Sequence, residues 1–478
     1  MQELNVQMPK SDTYEDMSLS TTVPKADILE LLKTHIQIER YIPTEFYEVF
    51  YNDDGRPRGF KLESLLWYLI LQSITGIVND NIFLALITIC RELREFCEFK
   101  AVPDAGKIST FKQTFVEYIR MVFNKFVDAT EPICRELDPK KSGYLIYDPT
   151  GIEAHVKENN PKFLNSKINN AKKVAAKNPE INAHSLAYSS MPDTAEANPF
   201  VKQQYINGHF CYAHKAGIIT NGLGIVRHIS FFDENFKQKH PEVVSQKTDN
   251  PDSDKEIGDS TSLKPVLSDF FEAHPLFMGN YHTFLGDSSF DSYDTYPMLR
   301  DDFNFKRMCI PLNPRNSSSA HTDFDDNGTP LCPNDKTPFV YDSVCHGKNR
   351  SERFKYICPK SIKVKGVPNP VCICEHPCTD KSYKCTYTYP DKNLRLYPGI
   401  PRGTEHWDNL YRHRVLVERT IYLLKYPLGA ASRKSLSART AKANLFIAGI
   451  SHLIGVILAH AINKSELFKS VRKILASA

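Results

Sequence analysis

Residues 144–151 read YLIYDPTG. An apolar run stops at Asp148, Pro149 and Gly151. A short apolar run closed by turn formers predicts a buried strand that ends at the aspartate. The sequence before it has another period. LESLLWYLILQSI, NIFLALITICRELREFCEF and STFKQTFVEYIRMVFNKFVDATEPI place apolar residues at steps of three and four, which predicts helices. The change of period predicts a helical N-terminal domain over 25–137, behind a polar tail at 1–24. Such a domain suits DNA binding or dimerisation, or packing alone.

After the strand comes a polar Asn/Lys-rich segment to about residue 207. HKAGIITNGLGIVRHISFF (214–232) then presents two β-rich runs around Asn221-Gly222, a hairpin signal. Beyond a polar loop at 233–260, LKPVLSDFFEAH predicts a helix. YHTFLGDSSFD (281–291) predicts a strand stopped at Gly-Asp-Ser. A helix, DTYPMLRDDF, and a strand, KRMCIPLN (306–313), follow. This order predicts an α/β domain with a mixed sheet over 140–313, resumed at 401–463. Residues 314–400, rich in Pro, Cys and β-formers, predict a β-rich insertion, and 464–478 a C-terminal tail.

The chain has 478 residues, enough for roughly two to four domains of about 150 residues. The net charge of +4 says little, but local charge says more. Between 395 and 442 stand ten basic residues: Arg395, Arg402, Arg412, Arg414, Arg419, Lys425, Arg433, Lys434, Arg439 and Lys442. Only Glu405, Asp408 and Glu418 oppose them. Such a cluster predicts a phosphate-binding surface. The N-terminus is polar and mixed in charge, with no signal peptide visible. Twelve cysteines without one predict reduced thiols in a cytoplasm. ANLFIAGISHLIGVILAHAI (443–462) is apolar enough to raise a membrane span. Ser451, His452 and His460 within it favour a buried core helix, and no membrane is expected as a partner.

Asp148 and Asp287 each close a predicted strand. Taken singly, each also reads as a turn or cap residue. Glu418 changes the weighing. At about 100° per helical residue, Tyr411, Arg414, Glu418 and Lys425 project within an arc of roughly 60°. Ordinary Arg–Glu pairs on a solvated face are the bland alternative. Three clustered carboxylates repel one another, and divalent cations relieve that repulsion. Two such ions activate a water or 3′-hydroxyl and stabilise the leaving oxygen.

Tyr411-x2-Arg414-x3-Glu418-x6-Lys425 resembles the Tyr-Arg-Glu-Lys signature of one branch of bacterial insertion-sequence transposases of the DDE type. YDPTG (147–151) and GDSSFDSYDTYPML (286–299) resemble that branch's two aspartate motifs. The helical stretch from residue 62, with VPDAGKISTFKQTF (102–115), is similar to the domain preceding the catalytic core in related elements. The resemblance implies an RNase H-like catalytic core with Asp148, Asp287 and Glu418 as catalytic and metal-binding residues for two Mg2+ (or Mn2+) ions. It implies that Tyr411, Arg414 and Lys425 grip the DNA backbone. It further implies cleavage at element ends by water, then joining of the 3′-hydroxyl to target DNA. The partners implied are double-stranded DNA, as terminal inverted repeats and target, and further copies in a homodimer or higher multimer. The setting it implies is the bacterial cytoplasm, at the nucleoid. Some members form a DNA hairpin and flip a base; Trp407 lies nearby but reads as a buried tryptophan.

Seven cysteines, 332, 345, 358, 372, 374, 378 and 385, crowd into the insertion. Cys372, Cys374 and Cys378, with Cys385 or Cys358, make a candidate structural Zn2+ site, against reduced structural thiols or partial redox pairing. The other functional readings are a non-catalytic DNA-binding protein derived from a transposase and a two-metal nuclease without strand transfer.

Overall fold

The computed structural model describes residues 28–52, 58–178, 180–206, 209–244, 257–316, 323–347, 350–433, 435–468 and 473. The predicted N-terminal tail, much of the 233–260 loop and most of the C-terminal tail lie outside these residues.

The N-terminal part is helical. Its main helices are α1 (Leu62–Thr75), α2 (Asp80–Ile89), α3 (Ala105–Thr114) and α4 (Val116–Leu137). Side chains fix several starts. Asn79 accepts from the Ile82 N–H to cap α2, and Asp104 from the Lys107 N–H to cap α3. α4 is amphipathic: Ile119, Phe123, Phe126, Val127, Thr130 and Cys134 are buried at three- and four-residue steps.

The sheet begins with β1 (Tyr144–Glu153). It continues with β2 (Asn198–Ile206), β3 (His209–Asn221), β4 (Val226–Phe231), β5 (Thr283–Leu285) and β6 (Arg307–Cys309). On one side, β1 pairs antiparallel with β3, which pairs antiparallel with both β2 and β4. On the other side, β1 pairs parallel with β5, and β5 parallel with β6. The sheet is therefore mixed. α5 (Leu263–Ala273) leads into β5. α6 (Glu405–Tyr411), α7 (Val415–Lys425) and α8 (Ala438–Ala461) close the chain.

Three local expectations need correction. β1 does not stop at Asp148 but runs on to Glu153. Its parallel partner ends opposite Ile146, so from there β1 is paired only to β3. Proline is tolerated at such an edge-like position, which lets the strand pass Pro149. The polar segment before 207 is not featureless: it holds a helix, Pro161–Ala175, and β2. Its few apolar residues gather with Tyr212 of β3 into a small cluster of Ala154, Val156, Met191, Ala195 and Val201. The hairpin forms, but its turn is longer than an Asn-Gly pair. The Asn221 carbonyl oxygen of the side chain accepts from the Leu223 and Ile225 N–H groups, and Gly224 takes the positive φ of 78°.

α8 is the apolar stretch of the sequence. It is long and apolar enough to cross a bilayer, yet 89% of its most apolar window is buried inside the protein. It packs on α4 so closely that a Cβ on Gly449 would stand 2.7 Å from the Phe123 ring and 3.1 Å from Ile229 of β4. One hydrophobic core runs from Leu32 to Ala459 through helices and sheet alike. Arg227 of β4 crosses that seam. Fully buried, it donates to the Val127 carbonyl and the Thr130 hydroxyl of α4, with Glu131 3.5 Å away. The insertion carries its own three-stranded antiparallel sheet, Val340–Gly347, Arg350–Ile357 and Cys385–Thr388, over a separate small core.

Candidate active site

The register of β1 and β5 levels two carboxylates. Ile146 pairs with Leu285 across the parallel strands. Asp148 and Asp287 each follow two residues later, so both lie at the carboxyl end of the parallel pair. That end is where open α/β sheets present their sites. The Asp287 carboxylate also accepts from the Ser289 N–H at 2.8 Å, which holds its loop as a tight turn.

Glu418 comes from the first turn of α7. Val417, Ile421 and Leu424 recur on the face of α7 that is buried, and the helix packs on β1 and β3. The Thr420 hydroxyl donates to the Gly224 carbonyl at 2.7 Å and ties α7 to the hairpin turn. With the apolar face pinned, Glu418 is left on the outer rim, 47% exposed, against 36% for Asp287 and 18% for Asp148.

Arg414 stands among the three. Its guanidinium lies 3.4 Å from Asp148, 3.3 Å from Asp287 and in hydrogen-bond contact with Glu418. One cation thus answers three acids. Burial pushes the Asp148 carboxyl up to about 7; Arg414 opposes the rise, while Asp287 and Glu418 add to it. Among the described residues, no three His, Cys, Asp or Glu side chains are drawn together as ligands of one ion. Here the guanidinium stands between the carboxylates. The donor set is nonetheless oxygen only and gathered about a positive charge, which is the chemistry Mg2+ or Mn2+ takes.

The structure brings Asp148, Asp287, Glu418 and Arg414 together and treats the other two site residues differently. Residues 411–425 are not one helix. α6 ends at Tyr411, a 3-10 turn spans Arg412–Arg414, and α7 begins at Val415. An arc drawn at 100° per residue therefore does not apply across the turn. Tyr411 is half-buried and stacks on Trp407, with ring centroids 4.8 Å apart and planes 17° apart. Trp407 is buried. Lys425 is buried too, and its ammonium donates to the Gly151 carbonyl at 2.7 Å, bracing β1 three residues past Asp148.

The basic cluster also changes character. Arg395, Arg402, Lys425, Arg433 and Lys442 are buried. Arg395 forks onto the buried Asp291, Arg402 donates to the Ile310 and Arg395 carbonyls, and Lys442 binds Glu117 and Asp233. These side chains hold the fold together internally. Arg412, Arg419 and Arg439 are the exposed cations of the stretch among the described residues. Charge along a sequence does not report which side chains reach water.

Residues 17–114 match the family model of a transposase domain (DUF772). The match supports a transposase. It covers the helical N-terminal region as far as the end of α3 and stops before α4 and the strand that carries Asp148. No curated protein matches the chain.

All twelve cysteines are free thiols. In the insertion, Cys378 contacts Cys332 rather than Cys385, and Cys374 contacts Cys372; Cys358 lies near both pairs. The thiols stand in pairs rather than in one closed cage. Sequence reading passed over Lys112 as a functional group and took Arg433 only as one member of the basic cluster. Lys112 had a signal: it lies four residues after Ile108 and beside Phe111, on a helix face otherwise buried. Arg433 follows a Gly-Ala-Ala-Ser loop, and nothing in that stretch signals its burial.

Proposed function

We propose that the chain is a DDE transposase that binds element ends, cleaves them and joins the 3′-hydroxyl to target DNA, acting as a homodimer or higher multimer. The observation that carries this reading is the convergence of Asp148, Asp287 and Glu418, from three separate elements, on Arg414. The strand order supports an RNase H-like core: antiparallel partners lie on one side of β1 and parallel ones on the other. The transposase-domain match to the N-terminal region supports the same class.

In this reading Asp148, Asp287 and Glu418 hold two Mg2+ or Mn2+ ions. When bound, such ions activate the attacking water or 3′-hydroxyl and stabilise the leaving oxygen. Arg414 neutralises the carboxylates while they lack cations, then turns its fork to a phosphate of the DNA strand. Tyr411 lends a hydroxyl at the same rim. Lys425 acts through β1, fixing the strand that carries Asp148. Such backbone contacts position the strand and leave sequence reading to other surfaces. The reading also includes a structural Zn2+ in the insertion, with Cys332 and Cys378 as one thiolate pair and Cys372 and Cys374 as the other.

The test is cleavage of DNA carrying the element's ends, in Mg2+, by Asp148→Asn, Asp287→Asn and Glu418→Gln proteins. Each should lose activity by roughly a thousandfold or more, about 4 kcal/mol of barrier, while still binding the ends. Near-native cutting by any of the three would remove that residue from the triad.

A further inference from the structure

A second polar cavity lies apart from the three carboxylates. Its volume is about 810 Å3. Asn79 and Asp80 line it from the start of α2, Lys112 from α3, Arg433 from the loop after α7, and Ser437 and Thr440 from the start of α8. It therefore sits where the transposase-domain match meets the C-terminal helices.

Arg433 is 6% exposed, and among the described residues none of its three guanidinium nitrogens has a hydrogen-bond partner. A guanidinium carries five N–H donors, and a buried charge without partners is strongly unfavourable. Lys112 is 2% exposed, with its ammonium 3.5 Å from Asp80. The same Asp80 is the acid that acts on Arg433, and it also accepts from the Gln72 amide at 2.7 Å. Two buried cations thus share one carboxylate, leaving one positive charge over. Burial pushes Arg433 down to about 10 and Lys112 below the usual lysine range. The wall at Ser437 and Thr440 is the N-terminal end of a 24-residue helix, and the Ser437 side chain makes no cap. Uncapped N–H groups at a helix start carry partial positive charge and favour an anion.

We propose that this cavity binds a phosphate group, with Arg433, Lys112 and the start of α8 as its ligands. Asn79 and Asn81 of the lining are exposed to solvent, so a phosphodiester of DNA or a free phosphate compound fits the cavity's chemistry. The choice of DNA rests on the transposase reading; the phosphate site itself does not.

The experiment compares wild type with Arg433→Gln and Arg433→Met as full-length proteins. Thermal unfolding is followed as inorganic phosphate replaces chloride at constant ionic strength. Phosphate should raise the wild-type Tm by mass action, and its apparent affinity should fall roughly tenfold or more in both variants. Without phosphate the variants should be as stable as wild type or more so, because they lose the surplus buried charge that lacks hydrogen bonds. A second arm measures binding of a DNA duplex against salt. A log–log slope smaller by about one in Arg433→Gln identifies DNA as the source of the phosphate. An unchanged slope with phosphate affinity lost identifies a free phosphate compound and still supports the site. A phosphate response absent from wild type, or equal in all three proteins, overturns the proposal. So does failure of both variants to fold, which would make Arg433 structural. The Glu418→Gln protein should keep the full phosphate response. If it also cut DNA, the triad reading would fall and this one would stand.

Discussion

Arg414 reaches the three acids from a turn, and its place there explains how Asp148 tolerates its surroundings. The Asp148 carboxyl titrates near 7 in the folded chain, against 3.8 for the free group. The fold therefore binds that proton more tightly than the unfolded chain does. The associated stability is fully present below the unfolded value and is lost as pH rises through about 7. Asp148→Asn removes the group that charges. Its Tm should gain on wild type between about pH 4 and about pH 7 in the absence of divalent ions, and the gain should level off above that. A Tm difference that stays flat across that window would mean Asp148 is an ordinary surface acid. At this scale the sequence was partly legible. Asp148 and Asp287 stand out because an acid beside a buried apolar run is poorly solvated. Lys425 and Arg395 are equally charged in the sequence, yet their burial depends on residues far along the chain.

Helices and strands show where periodicity helps and where it stops. α7 follows its period: Val417, Ile421 and Leu424 face inward, so Glu418 faces out. The 3-10 turn at Arg412–Arg414 breaks the helix before it, and no change of residue type marks the break. β1 outran its apparent stop because β3 pairs with it along its whole length. The insertion reads as β-rich from its β-forming residues, and in the structure exposure alternates along Val340–Gly347. Which thiols meet was not legible: Cys332 lies 46 residues before Cys378, and the fold of the insertion brings them together. If those pairs close on Zn2+, protein purified without chelator should carry about one equivalent by elemental mass spectrometry. Less than about a tenth of an equivalent would leave the cysteines as reduced structural thiols.

At the scale of the whole molecule, the helical region and the sheet share a core, from Leu32 to Ala459, stitched by α8 and by Arg227. The insertion packs over its own smaller cluster. Native-state hydrogen exchange should therefore show α1 and β1 opening with one common free energy, and the strands Val340–Gly347 and Arg350–Ile357 opening sooner. Distinct opening energies for α1 and β1 would show that the helical region is a separate unit. The sequence by itself determined the types of the main apolar elements, the mixed sheet, the apolar helix as core and the three acids worth testing. These follow from local periods and from turn chemistry, which act over a few residues. Only the tertiary structure decided that Arg414 joins those acids, that half of the basic cluster is internal, and that Arg433 is buried without a hydrogen-bond partner among the described residues. Those facts depend on solvent exposure and on contacts between distant residues, and a linear pattern carries neither.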